Sequence, residues 1–131
     1  MTPAERLITQ IKAQRLSWVE LEPAAAERSA RRVQITRPPE TAMPDFVVKT
    51  EDGQYTLKAE IRHVEAYTVG WDGFIESDLV GPAGGSEPVA FTPDLWKMVV
   101  VDKMKWLQTV ASAILESIIK HRESTEADAK N

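Results

Sequence analysis

Val69-Gly70-Trp71-Asp72-Gly73-Phe74, a Gly/Pro-rich loop, Pro88-Val89-Ala90-Phe91-Thr92 and an apolar-rich stretch reaching Ile119 form the part of this chain from which its fold is read. At the far end, Lys103 to Lys120 gathers Met104, Leu107, Ala111, Ile114, Leu115 and Ile118 on one broad helical face. That helix is expected to be the backbone of the core. Thr92-Pro93-Asp94 ahead of it opens a shorter helix: a hydroxyl to cap, a proline whose missing N–H costs nothing at the first position, and an acid at the positive end of the dipole. Leu95, Trp96, Val99 and Val100 supply its buried side, and a bend falls at Asp102.

Working back toward the N-terminus, the spacing changes near Ala59. Ile61, Val64, Tyr67 and Thr68 fit a helical stripe that ends at Gly70, a residue suited to a left-handed cap. A continued strand is the rival, because Tyr55, Leu57, Ala59 and Ile61 also alternate; the helix is favoured. Before it, Phe46 to Lys49 and Gln54 to Lys58 flank Asp52-Gly53, a hairpin signal. Ser17 to Leu21 and Arg32 to Thr36 are a second pair of β-prone runs, joined by a long, mobile connection. Pro38, Pro39 and Pro44 allow at most one helical turn, at Glu40 to Met43. Thr2-Pro3-Ala4-Glu5 reads as a capping box for a first helix to Gln14 or Arg15, with Leu7, Ile8 and Ile11 on one face.

The expected fold is therefore α+β: short antiparallel β-hairpins packed with several α-helices, the C-terminal helices forming the core. Size and pattern give a single globular domain over 1–122, and the polar end, 123–131, is expected to be disordered. The 131 residues contain no cysteine, which removes disulfides, thiolate metal sites and a cysteine nucleophile. A net charge of −4 argues against broad nucleic-acid binding, which requires clustered cations. The one dense basic spot, Arg28, Arg31 and Arg32, is expected to be a solvated hairpin loop. No apolar run approaches the roughly 20 residues of a membrane span, and the first residues do not resemble a secretory signal.

The sequence offers no catalytic constellation, no cofactor motif and no metal set. His63 and His121 are far apart; His63 is expected to be a surface or half-buried structural residue, and His121 to sit near a helix C-terminus, favourable to the dipole. Asp72, Glu76 and Asp78 lack the ligand spacing of a calcium loop and read as solvated turn acids. Gly81 to Ser86 lacks the Gly-Lys-Ser/Thr ending of a phosphate loop. Trp71 is expected to fold back and pin its loop to the C-terminal helices, with partner contact as the alternative. Trp106 falls on the polar side of the long helix, so it either packs under another element or marks a contact surface.

The Val69-Gly70-Trp71-Asp72-Gly73 turn, the variable loop and the Pro88-Val89-Ala90-Phe91-Thr92 element opening the last helices resemble the tail assembly chaperones of lambda-like, long-tailed phages. The resemblance covers about the last half of the chain. Ala90 stands where a second proline is common, the loop from Glu76 to Glu87 is long, and the first half carries no matching motif. It implies a non-enzymatic morphogenesis factor without cofactors, working in the host cytoplasm and absent from the mature virion. It would bind the tape measure protein, keep it soluble and help recruit the tail tube protein, with self-association left open and neither nucleic acid nor membrane as partner. A structural virion protein, such as a head-tail connector or minor tail component, is the alternative. The partner-binding candidates are Trp71, Phe74, Trp96 and Trp106.

Overall fold

The computed structural model describes residues 1–130. Helix α1 (Pro3–Gln14) starts at the expected cap: the Thr2 hydroxyl accepts from the Glu5 amide at 3.1 Å, with Pro3 at the first position, and the return bond from the Glu5 side chain that would complete a capping box is not made. After a single residue, Arg15, the chain is extended in β1 (Leu16–Glu22), which pairs antiparallel with β2 (Arg31–Thr36). Their register sets Ser17 opposite Ile35 and Val19 opposite Val33, so alternation turns Val19, Val33 and Ile35 to the core side, while Ser17 at the strand's start stays exposed. A 3-10 stretch over Glu40–Phe46 carries the chain through Pro44, longer than the single turn expected. The Asp52-Gly53 hairpin forms between β3 (Val47–Lys49) and β4 (Tyr55–Leu57), Gly53 taking φ +85°.

The segment after Ala59 corrects the sequence reading. Helix α2 spans only Ile61–Tyr67, and Thr68–Asp72 is a strand, β5, pairing antiparallel with β2 to give the sheet order β1-β2-β5. Gly70 is thus a strand residue, not a helix cap. It faces Gln34, whose side chain packs where a Cβ would point. Pairing with β2 captures backbone groups that a longer helix would have had to bond within itself, and this tertiary gain overrides the local spacing.

Helix α3 (Glu76–Val80) comes next, then α4 (Pro93–Val100), capped as expected by the Thr92 hydroxyl on the Leu95 amide at 3.1 Å. A break at Val101 to Lys103 leads into α5 (Met104–Lys130). The buried stripe of α5 is Trp106, Val110, Ile114 and Ile118, with Leu107, Ala111 and Leu115 half-buried beside it and Met104 exposed. This phase is rotated from the expected one because α5 packs against both α2 and β1, which widens its buried face on the Trp106 side. One continuous core joins this stripe to Val33, Ile35, Phe46, Val64, Trp96 and Val100.

The expectation of a disordered end is corrected for Glu123 to Lys130, which continue α5 as an exposed helix; Asn131 lies outside the described residues. His121 is accordingly mid-helix rather than at a C-terminus, and its Nε2 meets Glu40 Oε1 at 2.9 Å. His63 is buried, not at the surface. Its Nδ1 accepts from the Glu60 amide at 2.9 Å, which leaves the proton on Nε2 to be donated to Asp45 at 2.9 Å, and the ring stacks on Phe46 at 4.0 Å. These bonds, first from His63 and then from Arg62, hold the Asp45 carboxyl below its ordinary range. Among the described residues, no helix is long and apolar enough to cross a membrane.

Candidate functional site

The site begins at β5, where alternation turns Trp71 inward opposite Val33 and sends Asp72 outward opposite Arg32. Asp72 and Arg32 form an ion pair at 3.2 Å on the outer face of the sheet, where Arg32 also lies over the Trp18 ring at 4.3 Å. Gly73 then takes φ +88°, and a Cβ there would run into the Ala30 carbonyl oxygen. Both facts demand glycine: the backbone is left-handed, and the β1–β2 connection is too close for a side chain.

Beyond the turn, the Val69 to Phe74 and Pro88 to Thr92 elements come together. The Trp71 Nε1 donates to the Val89 carbonyl at 2.7 Å, and the Val89 amide donates to the Phe74 carbonyl at 3.0 Å. Trp71 meets Phe91 edge-on at 5.3 Å and Trp96 edge-on at 6.4 Å, while Phe74 meets Trp106 edge-on at 5.5 Å. Edge-to-face packing of this kind adds to simple burial because ring edges are electropositive and ring faces electronegative. The expected anchoring by Trp71 is found.

Asp72 and Glu76 are exposed, as expected of turn acids, but Asp78 and the basic spot are not separate solvated features. Arg28 reaches across to Asp78 at 2.6 Å and Arg31 approaches the same carboxylate at 3.9 Å. Asp78 also accepts from the Ile75 amide at 2.8 Å. Burial works to raise the Asp78 pKa, but the hydrogen bonds from Arg28 and Ile75, with the charges of Arg28 and Arg31, outweigh it and leave the carboxyl below its ordinary value. The long β1–β2 connection is therefore pinned at Arg28, and a solvated loop is corrected to a partly buried clasp. Beside it lies an open depression of about 530 Å³ between Ser29, Asp72 and Val89.

Three of the four partner-binding candidates are buried within the chain. Trp96 is wholly buried and donates to the Val64 carbonyl at 3.3 Å; Phe74 is buried; Trp106 is only 6% exposed and donates to Glu22 Oε1 at 3.1 Å. Trp71 is half-buried with its polar atom already spent. Trp96, Phe74 and Trp106 lie within the core, whereas Trp71 packs against it and also lines the open depression beside the clasp. The exposed apolar surface is elsewhere. Leu7, Ile8 and Ile11 of α1 are 49%, 53% and 48% exposed, and α1 buries no residue at all. Their common face was visible in the spacing; that no other part of the chain would cover it was not. Trp18, exposed beside Arg32, carried no sequence signal beyond its place in β1.

Among the described residues, no three His, Asp or Glu side chains converge on a point where a metal ion would sit. No family model, curated protein or solved structure matches the chain.

Proposed function

We propose that this chain is a non-enzymatic phage tail assembly chaperone that binds the tape measure protein in the host cytoplasm, keeps it soluble and helps recruit tail tube subunits. The observation that carries the reading is the union of its two motif elements: the Val69 to Phe74 turn and the Pro88 to Thr92 segment are joined by the Trp71 to Val89 and Val89 to Phe74 hydrogen bonds. Together they form one unit that seats α4. A second observation supplies a docking face. The apolar stripe of α1 has no cover, and a long helical client presenting an apolar face of its own would lie against it, helix to helix.

Co-expression with a tape measure protein encoded beside this gene tests the reading. The long helical protein should move to the soluble fraction and co-purify, with binding only mildly dependent on salt because apolar burial carries it. A client that stays insoluble, or stoichiometric recovery of this chain from mature virions, moves the assignment to a connector or minor tail protein.

A further inference from the structure

The free edge of β1 carries two unmet needs that point to one occupant. In the sheet order β1-β2-β5, β1 is paired on one side only. The Arg37 amide donates to the Arg15 carbonyl at 2.7 Å, so the bonded pairs fall at Arg15, Ser17 and Val19. Leu16, Trp18 and Glu20 therefore aim their backbone N–H and C=O groups outward, and among the described residues no other backbone group meets them. Such an edge is a template for a further strand.

The second need is charge. Arg15 and Arg37 stand opposite one another at the open end of the β1–β2 hairpin, one step beyond the Leu16 and Thr36 pair. Like charges directly across a ladder repel. Among the described residues neither guanidinium has a carboxylate partner; Arg37 donates only to the Pro38 carbonyl at 3.1 Å, and the Arg15 Nε is buried with no acceptor. The nearby acids are engaged elsewhere, Glu116 with Lys120 and Glu40 with His121, each at 2.9 Å. Burial, and after it the charge of Arg15, pushes the Arg37 pKa below its ordinary value, with Glu40 pulling the other way.

Both needs open into the same space. A groove of about 470 Å³ runs between Arg15 to Val19 and the α5 residues Ala113 to Ser124, with Arg37 also lining it. A second open stretch of about 490 Å³ continues it past Val19, Ala113 and Glu116 toward Gln108. The combined channel runs along the strand, flanked by α5. We infer that it binds an extended segment of a partner protein, which adds as a strand to the β1 edge and places a carboxylate between Arg15 and Arg37. Backbone bonds to Leu16, Trp18 and Glu20 supply affinity, and paired N–H donors from two guanidiniums select the acid. This surface is distinct from the α1 stripe, so the inference stands or falls apart from the tape measure assignment.

The test uses the full chain and a randomised eight-residue peptide library. Selected peptides should be enriched in Asp or Glu, and Arg15→Gln with Arg37→Gln should weaken them at least tenfold. Trp18→Pro removes the one outward N–H at that position, a change an edge strand tolerates, and should also weaken binding at least tenfold; Trp18→Val, which keeps the amide, should not. Should Trp18→Pro fail to fold, hydrogen exchange in the native chain serves instead: saturating peptide should slow the Leu16, Trp18 and Glu20 amides at least tenfold. Peptides indifferent to these changes, or amides that exchange as before, overturn the inference. A library that yields no acidic peptide while inorganic phosphate binds makes this a free-oxyanion site, which also overturns it. So does self-association abolished by Trp18→Pro, since the occupant would then be a second copy.

Discussion

The aromatic core around Trp96 and the first helix, α1, are both built from apolar residues at helical spacing, yet they end in opposite environments. Trp96, Val99 and Val100 of α4 are buried where α4 meets α2 and α5, with Trp71 of β5 packed edge-on against Trp96 and Phe74 edge-on against Trp106. Leu7, Ile8 and Ile11 of α1 meet nothing comparable. The difference lies in the element that succeeds each helix. The break at Val101 to Lys103 turns α5 back over the sheet, whereas α1 runs directly into an edge strand with no later element returning to cover it. Helical periodicity reports that a face is apolar; only chain connectivity decides whether the same molecule buries it.

The sharpest way to break this contrast is to truncate inside the core. Trp96→Ala removes a fully buried indole and its bond to the Val64 carbonyl, and should cost about 3–5 kcal/mol in chemical denaturation. Trp106→Ala should likewise lower stability by an amount within that rough range. A loss below about half a kcal/mol for either would mean that the aromatic cluster is not the core.

The turn that joins the two motif elements should respond less strongly. Gly73→Ala places a Cβ in a left-handed backbone facing the Ala30 carbonyl, and a cost of about 1–3 kcal/mol is expected. Asp78→Ala should cost a comparable ~1–3 kcal/mol by releasing Arg28 and the Ile75 amide. The pH dependence is set by the depressed Asp78 pKa. Its contribution is fully present above the ordinary carboxylate value of about 3.9 and is lost as pH falls through the lower folded-state value. The gap between acid melts of the native chain and of Asp78→Ala should therefore begin to narrow below about pH 4 and close only below the lower folded-state value; a gap that persists at still lower pH would show that the ion pair is not the source.

At the small end stand the regions without buried residues. Leu7→Gln, Ile8→Gln and Ile11→Gln should each change stability by no more than about half a kcal/mol, yet together they should abolish solubilisation of the tape measure protein. A triple variant that solubilises normally would remove α1 as the docking face. Deleting 123–131 should shift stability by a similarly small amount, within about half a kcal/mol, because none of the described residues there is buried.

Local signals told most about the start and end of elements. Thr2, Asp52-Gly53 and Thr92 each act through neighbours within a few residues, so their roles could be read directly. Strand β5 was hidden because its partner, β2, lies far back in the chain, and Gly70 looks the same whether it ends a helix or sits beside Gln34. The buried phase of α5 departs from its sequence spacing for a related reason: a helix packed on two sides has a buried arc wider than one stripe, and Trp106 lies at its margin. The clasp of Arg28 on Asp78 joins residues on different elements, which charge counting along the sequence could not bring together. Of the candidate site, the Trp71 anchor was legible; the uncovered state of α1 and the free β1 edge were not.

The central position of β2 has a consequence for synthesis. Its first neighbour, β1, precedes it and can pair by local loop closure, but its second, β5, begins at Thr68 and is separated from it by residues 37–67. While the chain grows from the ribosome, β1 and β2 emerge as a two-stranded ribbon whose far side stays open until that intervening segment and β5 have been made. During that interval Val33 and Ile35 have neither α4 nor α5 to cover them, since both helices are made last. A protein proposed to shield another from aggregation would thus pass through its own aggregation-prone stage, one that ends only when the C-terminal helices arrive.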